Sequence, residues 1–110
     1  MTSHRARLAE AQRATAALLE GLRGDFGSIV DASADSNADD EHDPEGSTIA
    51  FERAQVVALI GQAEQRLTEI DAAKARLAAG TYGICEVCSE PIAVGRLEAR
   101  PTARTCVDHT

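Results

Sequence analysis

Apolar residues recur at helical spacing along the first thirty residues of the chain. Intervals of three, four or seven residues place such side chains on one face of an α-helix. The residues of this stripe, with Phe26 beside them, are Leu8, Ala11, Thr15, Leu18, Leu22 and Ile29. Ser3 belongs to the residue types that cap helix N-termini. The pattern predicts a helix from about Ser3 to Val30.

A second, longer apolar pattern follows a 4-3 alternation through four heptads. Its positions are Ile49, Arg53, Val56, Ile60, Ala63, Leu67, Ile70, Lys74 and Leu77. This alternation is typical of a coiled-coil seam, interrupted here by one basic residue near either end. Asp43 is a good N-cap, Pro44 suits the first helical turn, and Gly80 is placed to end the helix. We therefore predict a helix from Pro44 to Ala79.

The segment between these helices, near residues 31–47, is acidic. From Gly24 to Glu52 the chain has nine acids and no lysine or arginine. Such a segment is either an acidic linker without fixed structure or a charged tip presented to a cationic or metal-containing partner. The EF-hand calcium pattern is missing from it. If the segment is a tip, its candidate contact residues are Asp39, Asp40, Asp43 and Glu45.

The last 26 residues contain two pairs of potential metal ligands, Cys85 with Cys88 and Cys106 with His109. Each pair has the spacing of a knuckle that turns two side chains toward one ion, and three cysteines with one histidine form an accepted structural zinc set. The pattern predicts one structural Zn²⁺. One alternative is a buried or redox-active Cys85/Cys88 pair with Cys106 incidental. Another is water or Asp108 as the fourth ligand.

Two helices with matching stripes and a short connection predict a mainly α fold. They would form a long antiparallel helical hairpin, a coiled coil with the acidic turn at its tip. We assign residues 1–79 to this hairpin and residues 80–110 to a small C-terminal zinc-finger module. The 110 residues include no Trp, one Tyr and two Phe, which suits a narrow seam between helices and not a wide core.

The net charge of −7 argues against a general DNA or RNA binder, because phosphate binding depends on clustered lysine and arginine. No apolar run approaches the roughly 18 residues of a membrane span. The N-terminus lacks the apolar stretch of a signal peptide. Cysteines at metal spacing without a secretion signal fit a reducing compartment, so we expect a cytoplasmic protein with no membrane partner.

Two motifs surround the predicted metal site. The first reads Tyr82-Gly-Ile-Cys85-Glu-Val-Cys88, and the second reads Arg96-Leu-Glu-Ala-Arg-Pro-Thr-Ala-Arg-Thr-Cys106. They resemble the DksA/TraR zinc-finger proteins, whose mark is Tyr-Gly-x-Cys-x-x-Cys followed by Arg-Leu-Glu-Ala-x-Pro-x-Ala-x-x-Cys. The match covers about 30 residues, and the acidic-tipped hairpin extends it more loosely to most of the chain.

The resemblance implies a regulator that binds bacterial RNA polymerase near its secondary channel. Such a regulator inserts its hairpin tip toward the active centre and alters initiation without recognising a DNA sequence. The resemblance also implies Arg96 and Arg100 as possible contacts with polymerase or with the alarmone guanosine tetraphosphate. A helix-two lysine that contributes to alarmone binding in some members is matched by Glu69, whose charge repels a polyphosphate. We therefore expect weak or absent alarmone dependence.

The sequence departs from the family in two places. His109 stands where the family has a fourth cysteine, and the tip does not keep the Asp-x-x-Asp-x-Ala pattern of the better-studied members. Four protein ligands leave no open metal position, so we expect no enzymatic activity. Two other functions stay open on the residues alone. One is a zinc-stapled helical adaptor that binds another protein or itself, and the other is a thiol redox sensor using Cys85 and Cys88.

Overall fold

The computed structural model describes the backbone of residues 3–36 and 44–109 and the side chains of residues 3–31 and 48–109. Two long helices, α1 (His4–Ser36) and α2 (Pro44–Ala79), are followed by the short helix α3 (Val94–Ala99) and a 3₁₀ turn at Val107–His109. An isolated antiparallel bridge joins Ile84 and Pro91. The mainly α fold with two long helices and a C-terminal cysteine cluster is confirmed.

Helix α2 has the bounds that its sequence predicts. It begins at Pro44, whose fixed φ and missing N–H suit a first turn. It ends at Ala79, and Gly80 follows with a φ of 80°, the left-handed conformation that glycine adopts without strain. The N–H groups of Gly80 and Thr81 donate to the carbonyls of Leu77 and Arg76, which closes the last turn.

Helix α1 is longer than predicted: it continues past Val30 and ends at Ser36. At its start the Ser3 hydroxyl accepts a 3.1 Å hydrogen bond from the Ala6 N–H, so the predicted cap is confirmed. Three glycines in the second half each weaken a helix by about 1 kcal/mol relative to alanine. That penalty is small compared with the packing of an apolar stripe on a second helix.

The residues divide into two compact units, which we call the terminal unit and the middle unit. The terminal unit combines Met1–Ala14 with Arg66–Thr110, and the middle unit is Thr15–Gln65. Each unit therefore contains a stretch of α1 and a stretch of α2. The division into a hairpin (1–79) and a zinc-finger module (80–110) stays a prediction.

The terminal unit has the most completely buried side chains. Leu8 of α1 and Ile70 and Ala73 of α2 are all 0% exposed. Beside them lies a polar link between the helices, in which the Lys74 ammonium donates to the Gln12 side-chain oxygen at 2.8 Å. The predicted interruption of the seam at Lys74 therefore has a partner on the opposite helix.

The middle unit has a thinner core, made of Thr15, Leu19, Leu22 and Ala63. The prediction that Leu18 belongs to the α1 stripe is wrong, because Leu18 is 56% exposed and Leu19 is 5% exposed. Among the buried and half-buried residues of α1, one series follows a 4-3 alternation that matches the seam of α2. It consists of Leu8, Gln12, Thr15, Leu19, Leu22, Phe26 and Ile29.

Within the described parts of the chain, neither long helix contains a stretch that is apolar and long enough to cross a bilayer.

Candidate metal centre

The first knuckle is a tight turn from Cys85 to Glu90. The Cys85 N–H donates to the Glu90 carbonyl and the Cys85 carbonyl accepts from the Ser89 N–H, both at 2.9 Å. Ser89 has a φ of 63°, a left-handed conformation that is uncommon for a residue other than glycine. The turn also brings the Val87 N–H to 3.4 Å from the Cys85 sulfur. Cys85 and Cys88 are thereby presented on the same side of one turn.

The second knuckle follows α3. Its backbone is held by the Arg96 guanidinium, whose Nε donates to the Thr105 carbonyl at 2.8 Å, directly before Cys106. The His109 N–H donates to the Cys106 carbonyl at 3.0 Å and closes the final 3₁₀ turn. The two knuckles are joined because the Glu86 N–H donates to the Arg104 carbonyl at 2.9 Å.

The two knuckles bring together one ligand atom from each of Cys85, Cys88, Cys106 and His109. These four atoms all lie within 4.8 Å of one another. The Sγ atoms of Cys88 and Cys106 are 3.9 Å apart, and His109 Nδ1 is 3.9 Å from Cys85 Sγ and 3.1 Å from Cys106 Sγ.

These separations fit a tetrahedral zinc site. Zn–S bonds of about 2.3 Å and Zn–N bonds of about 2.0 Å put neighbouring tetrahedral ligand atoms roughly 3.5–3.8 Å apart. The donor set of three thiols and one imidazole is also one that structural zinc takes. The predicted zinc site therefore has four residues grouped for metal binding, and a fourth cysteine is not required to complete the group.

The electrostatics of the first knuckle favour a thiolate at Cys85. The pKa of Cys85 is lowered from its ordinary value to about 6, chiefly by the Cys88 backbone N–H and despite burial. At Cys88 the Glu90 backbone N–H lowers the pKa, but burial and the neighbouring thiols outweigh it, so the Cys88 pKa is raised. Because zinc binds thiolates, a low pKa prepares Cys85 for metal binding.

A small apolar core supports the metal ligands. Cys85, Ile92 and Leu97 are buried together, and Tyr82 and Ala103 pack against them. Gly83 has a φ of 81°, and a Cβ there would lie 3.3 Å from Leu97 Cδ1. The glycine of the Tyr-Gly motif is thus required by backbone conformation and by close packing on α3.

Tyr82 and the α2 residue Arg76 tie the start of the module to the loop after α3. The Tyr82 hydroxyl donates to the Pro101 carbonyl at 2.7 Å, and the Arg76 guanidinium donates to the Thr102 carbonyl at 3.3 Å. Burial raises the pKa of the Tyr82 hydroxyl, with Arg7 and Arg76 opposing that rise. These bonds fix the position of the loop that leads to the second knuckle.

The first turns of α1 also pack on this module, a contact that the sequence does not predict. The His4 and Tyr82 rings lie 4.8 Å apart, centre to centre. The half-buried Arg7 donates to His4 Nδ1 at 3.0 Å and lies 3.9 Å from a Glu98 carboxylate oxygen on α3. His4 and Tyr82 are 78 positions apart, and Arg7 and Glu98 are 91 apart, so no local pattern in the sequence could have shown these contacts.

The other predicted site residues have different settings. The Arg96 side chain donates to the Thr105 carbonyl, whereas Arg100 is exposed. The predicted tip residues Asp39, Asp40 and Asp43 lie outside the described residues. Glu45 lies in the first turn of α2, and its side chain is likewise outside them. Contacts of these residues with a partner stay predictions.

Two long helices followed by a compact group of three cysteines and one histidine define a helical zinc-finger protein. The model of the prokaryotic dksA/traR C4-type zinc finger family matches residues 80–108. The structure of transcription factor DksA2 from Pseudomonas aeruginosa superposes with a TM-score of 0.78 and 30% identity, covering 96% of this chain and 75% of that one. The chain belongs to the DksA/TraR zinc-finger family.

Curated relatives show the same similarity over shorter stretches. The uncharacterized protein YteA of Bacillus subtilis (strain 168) is 35% identical over 80 residues, which are 73% of this chain and 34% of YteA. The RNA polymerase-binding transcription factor DksA of Caulobacter vibrioides is 50% identical over 42 residues, which are 38% of this chain and 30% of that protein. The matches thus span about a third of these relatives' own length.

Proposed function

We propose that this protein is a non-enzymatic transcription regulator that binds bacterial RNA polymerase. The observation that carries the proposal is the similarity to DksA2, which extends over 96% of the chain and therefore includes both long helices as well as the zinc finger. The name of the Caulobacter relative gives the partner. The predicted cytoplasmic location is part of the proposal, since polymerase acts there.

In this proposal the acidic segment between α1 and α2 is the part that acts on polymerase. Asp39, Asp40, Asp43 and Glu45 would approach the active centre through the secondary channel, where a concentrated negative charge suits basic side chains or Mg²⁺. Initiation would change without recognition of a DNA sequence, which fits a net charge of −7.

The metal centre would have a structural role. Cys85, Cys88, Cys106 and His109 would be its four ligands, and a bound Zn²⁺ supplies a tetrahedral crosslink between the two knuckles. Arg96 and Arg100 are candidate polymerase contacts. Glu69 makes strong dependence on guanosine tetraphosphate unexpected, because a carboxylate repels a polyphosphate.

Binding and run-off transcription with purified bacterial RNA polymerase test the proposal. Reversing Asp39, Asp40, Asp43 and Glu45 to lysine is expected to remove the effect on promoter output while circular dichroism stays helical. A matched control reverses the exposed acids Glu10, Glu20, Glu64 and Asp71, which lie outside the acidic segment and the knuckles, and so makes the same change in net charge. It is expected to retain most of the effect.

Three outcomes contradict parts of this proposal. A wild-type chain that does not bind polymerase at micromolar concentration contradicts the partner and favours a helical adaptor. Unchanged promoter output after the tip reversals contradicts the role of the tip. Equal loss in the tip variant and the matched control reduces that role to net charge.

A further inference from the structure

The middle unit has an open groove between its stretches of α1 and α2, with a volume of about 490 Å³. We call it the acidic groove. Its apolar lining comes from Leu22 and Ile29 on α1 and Val56 and Leu59 on α2, and a carboxylate lies on each helix, at Asp25 and Glu52.

The apolar surface at and near this groove is incompletely covered. Leu59 lines the groove and is 41% exposed, and Phe51, directly before the lining residue Glu52 on α2, is 69% exposed. On the described parts of α1 and α2, every exposed large hydrophobic residue belongs to the middle unit. An apolar groove that leaves a large side chain such as Leu59 partly exposed is typical of a site where a partner packs.

The charge of the groove restricts the partner. Neither Asp25 nor Glu52 has a hydrogen bond or ion pair among the described residues. Thr15–Gln65 contains eleven acids and two bases, and neither base, Arg23 or Arg53, lines the groove. A lysine or arginine beside either carboxylate would meet an unpaired charge on the edge of an apolar surface.

We propose that the acidic groove binds an amphipathic helix that carries lysine or arginine side chains beside an apolar stripe. An open groove between two helices suits the face of a third helix, whose apolar residues anchor it at helical spacing. A second copy of this chain is a poor occupant, because the net charge of −7 makes two copies repel each other. The proposal deepens the proposed function and rests on it in that polymerase would supply the helix.

A synthetic peptide tests the groove without polymerase. The probe is a helical peptide of about 16 residues, in which leucines recur at i, i+3, i+4 and i+7 and lysines flank them. A matched peptide has glutamates in place of the lysines. Fluorescence anisotropy is expected to show that the lysine peptide binds at least about tenfold more tightly than the glutamate peptide.

Matched variants locate the binding. Asp25→Lys with Glu52→Lys is expected to weaken lysine-peptide binding at least about tenfold, because it replaces attraction by repulsion at the groove. Glu20→Lys with Asp31→Lys makes the same net charge change at exposed acids outside the groove lining, and it is expected to weaken binding less than about threefold. Leu59→Gln is expected to weaken binding, and Val57→Gln, outside the lining, is not.

Methyl chemical shifts in the presence of the lysine peptide give a second readout. Those of Leu22, Ile29, Val56 and Leu59 are expected to move, while that of the buried Ile70 stays unchanged. Equal binding of the two peptides, or equal loss in the two charge variants, overturns the proposal. So does concentration-dependent dimerisation that Leu59→Gln abolishes, because a second copy then fills the groove.

Polymerase binding, measured beside peptide binding, distinguishes a failure of the groove proposal from a failure of the proposed function. If wild-type chain binds the lysine peptide at the groove but not polymerase, the proposed partner fails and the groove stands. If it binds polymerase and the Asp25/Glu52 variant binds polymerase equally well, the groove proposal fails and the proposed function stands.

Discussion

The terminal unit and the middle unit contain stretches of the same two helices but differ in burial and charge. The terminal unit has nine bases and seven acids and contains side chains that are completely buried. The middle unit has two bases and eleven acids, and its least exposed side chains, Thr15 and Ala63, are 4% exposed. The 4-3 pattern is thus shared by both units, whereas their charge and the depth of their burial are set by the residues around it.

That difference suggests a division of roles. In the terminal unit, hydrogen bonds to loop carbonyls join α2, Tyr82 and α3 to the loop that leads to the second knuckle. His4 and Arg7 of α1 contact Tyr82 and Glu98, so this unit is built for a fixed conformation. Both units expose large apolar side chains, such as Val107 in the terminal unit and Phe51 in the middle unit. The middle unit combines them with a strong excess of acids, which is expected of a part that contacts a cationic partner.

The largest expected effect is the loss of the metal. Cys106→Ser should prevent zinc binding, and binding of structural zinc contributes apparent free energies of about 10–16 kcal/mol in small fingers. Hydrogen exchange should then show that amides of 80–109 lose protection, together with those of the first turns of α1. Amides of Thr15–Gln65 should keep most of theirs, and circular dichroism should remain helical.

Two substitutions at the fourth position accompany that experiment. His109→Cys is expected to keep one zinc per chain, because it restores a set of four thiolates. His109→Ala is expected to weaken zinc binding strongly. Unchanged zinc affinity in His109→Ala would assign the fourth position to water or Asp108, and complete unfolding of Cys106→Ser would make both units depend on the metal.

A smaller effect is expected from the helical cores. Ile70→Ala, in the terminal unit, should lower the free energy of unfolding by about 2–5 kcal/mol, because Ile70 is 0% exposed. Leu19→Ala, in the middle unit, should lower it less, and the exposed Leu18→Ala should change it by less than about 0.5 kcal/mol. Urea denaturation measures all three. Equal losses at Leu18 and Leu19 would contradict the observed register of α1.

The smallest expected effect is a gain in the middle unit. Gly24 is an exposed helical glycine, and a Cβ there would meet no other part of the chain within 4 Å, so Gly24→Ala should raise the free energy of unfolding by up to about 1 kcal/mol. Gly83→Ala should lower it instead, because Gly83 has a φ of 81° and lies close to Leu97. Thermal unfolding compares the two. A loss of stability in Gly24→Ala would contradict an open face there.

Much of the fold could be predicted from sequence because its signals are local. Pro44 and Gly80 mark the bounds of α2 through backbone constraints that belong to single residues. The spacing of the three cysteines and His109 likewise predicts the grouping that the structure contains. By contrast, the choice between Leu18 and Leu19 depends on which one faces α2, and both suit a helical stripe.

The parts that could not be predicted depend on contacts between distant residues. Nothing near His4 or Arg7 in the sequence indicates their contacts with Tyr82 and Glu98. The acidic groove is a property of two helices together, since Asp25 and Glu52 are ordinary helix-surface residues when each is considered alone. Such features require the packed arrangement.

The position of Tyr82 gives the protein an internal optical reporter. The chain has no tryptophan and one tyrosine, and its two phenylalanines emit only weakly, so its ultraviolet emission is dominated by Tyr82. That ring lies beside His4, and its hydroxyl is bonded to the Pro101 carbonyl, so the emission is sensitive to the junction of α1, α2 and the knuckle loops. The assembly of this junction can therefore be followed in real time without attaching a dye.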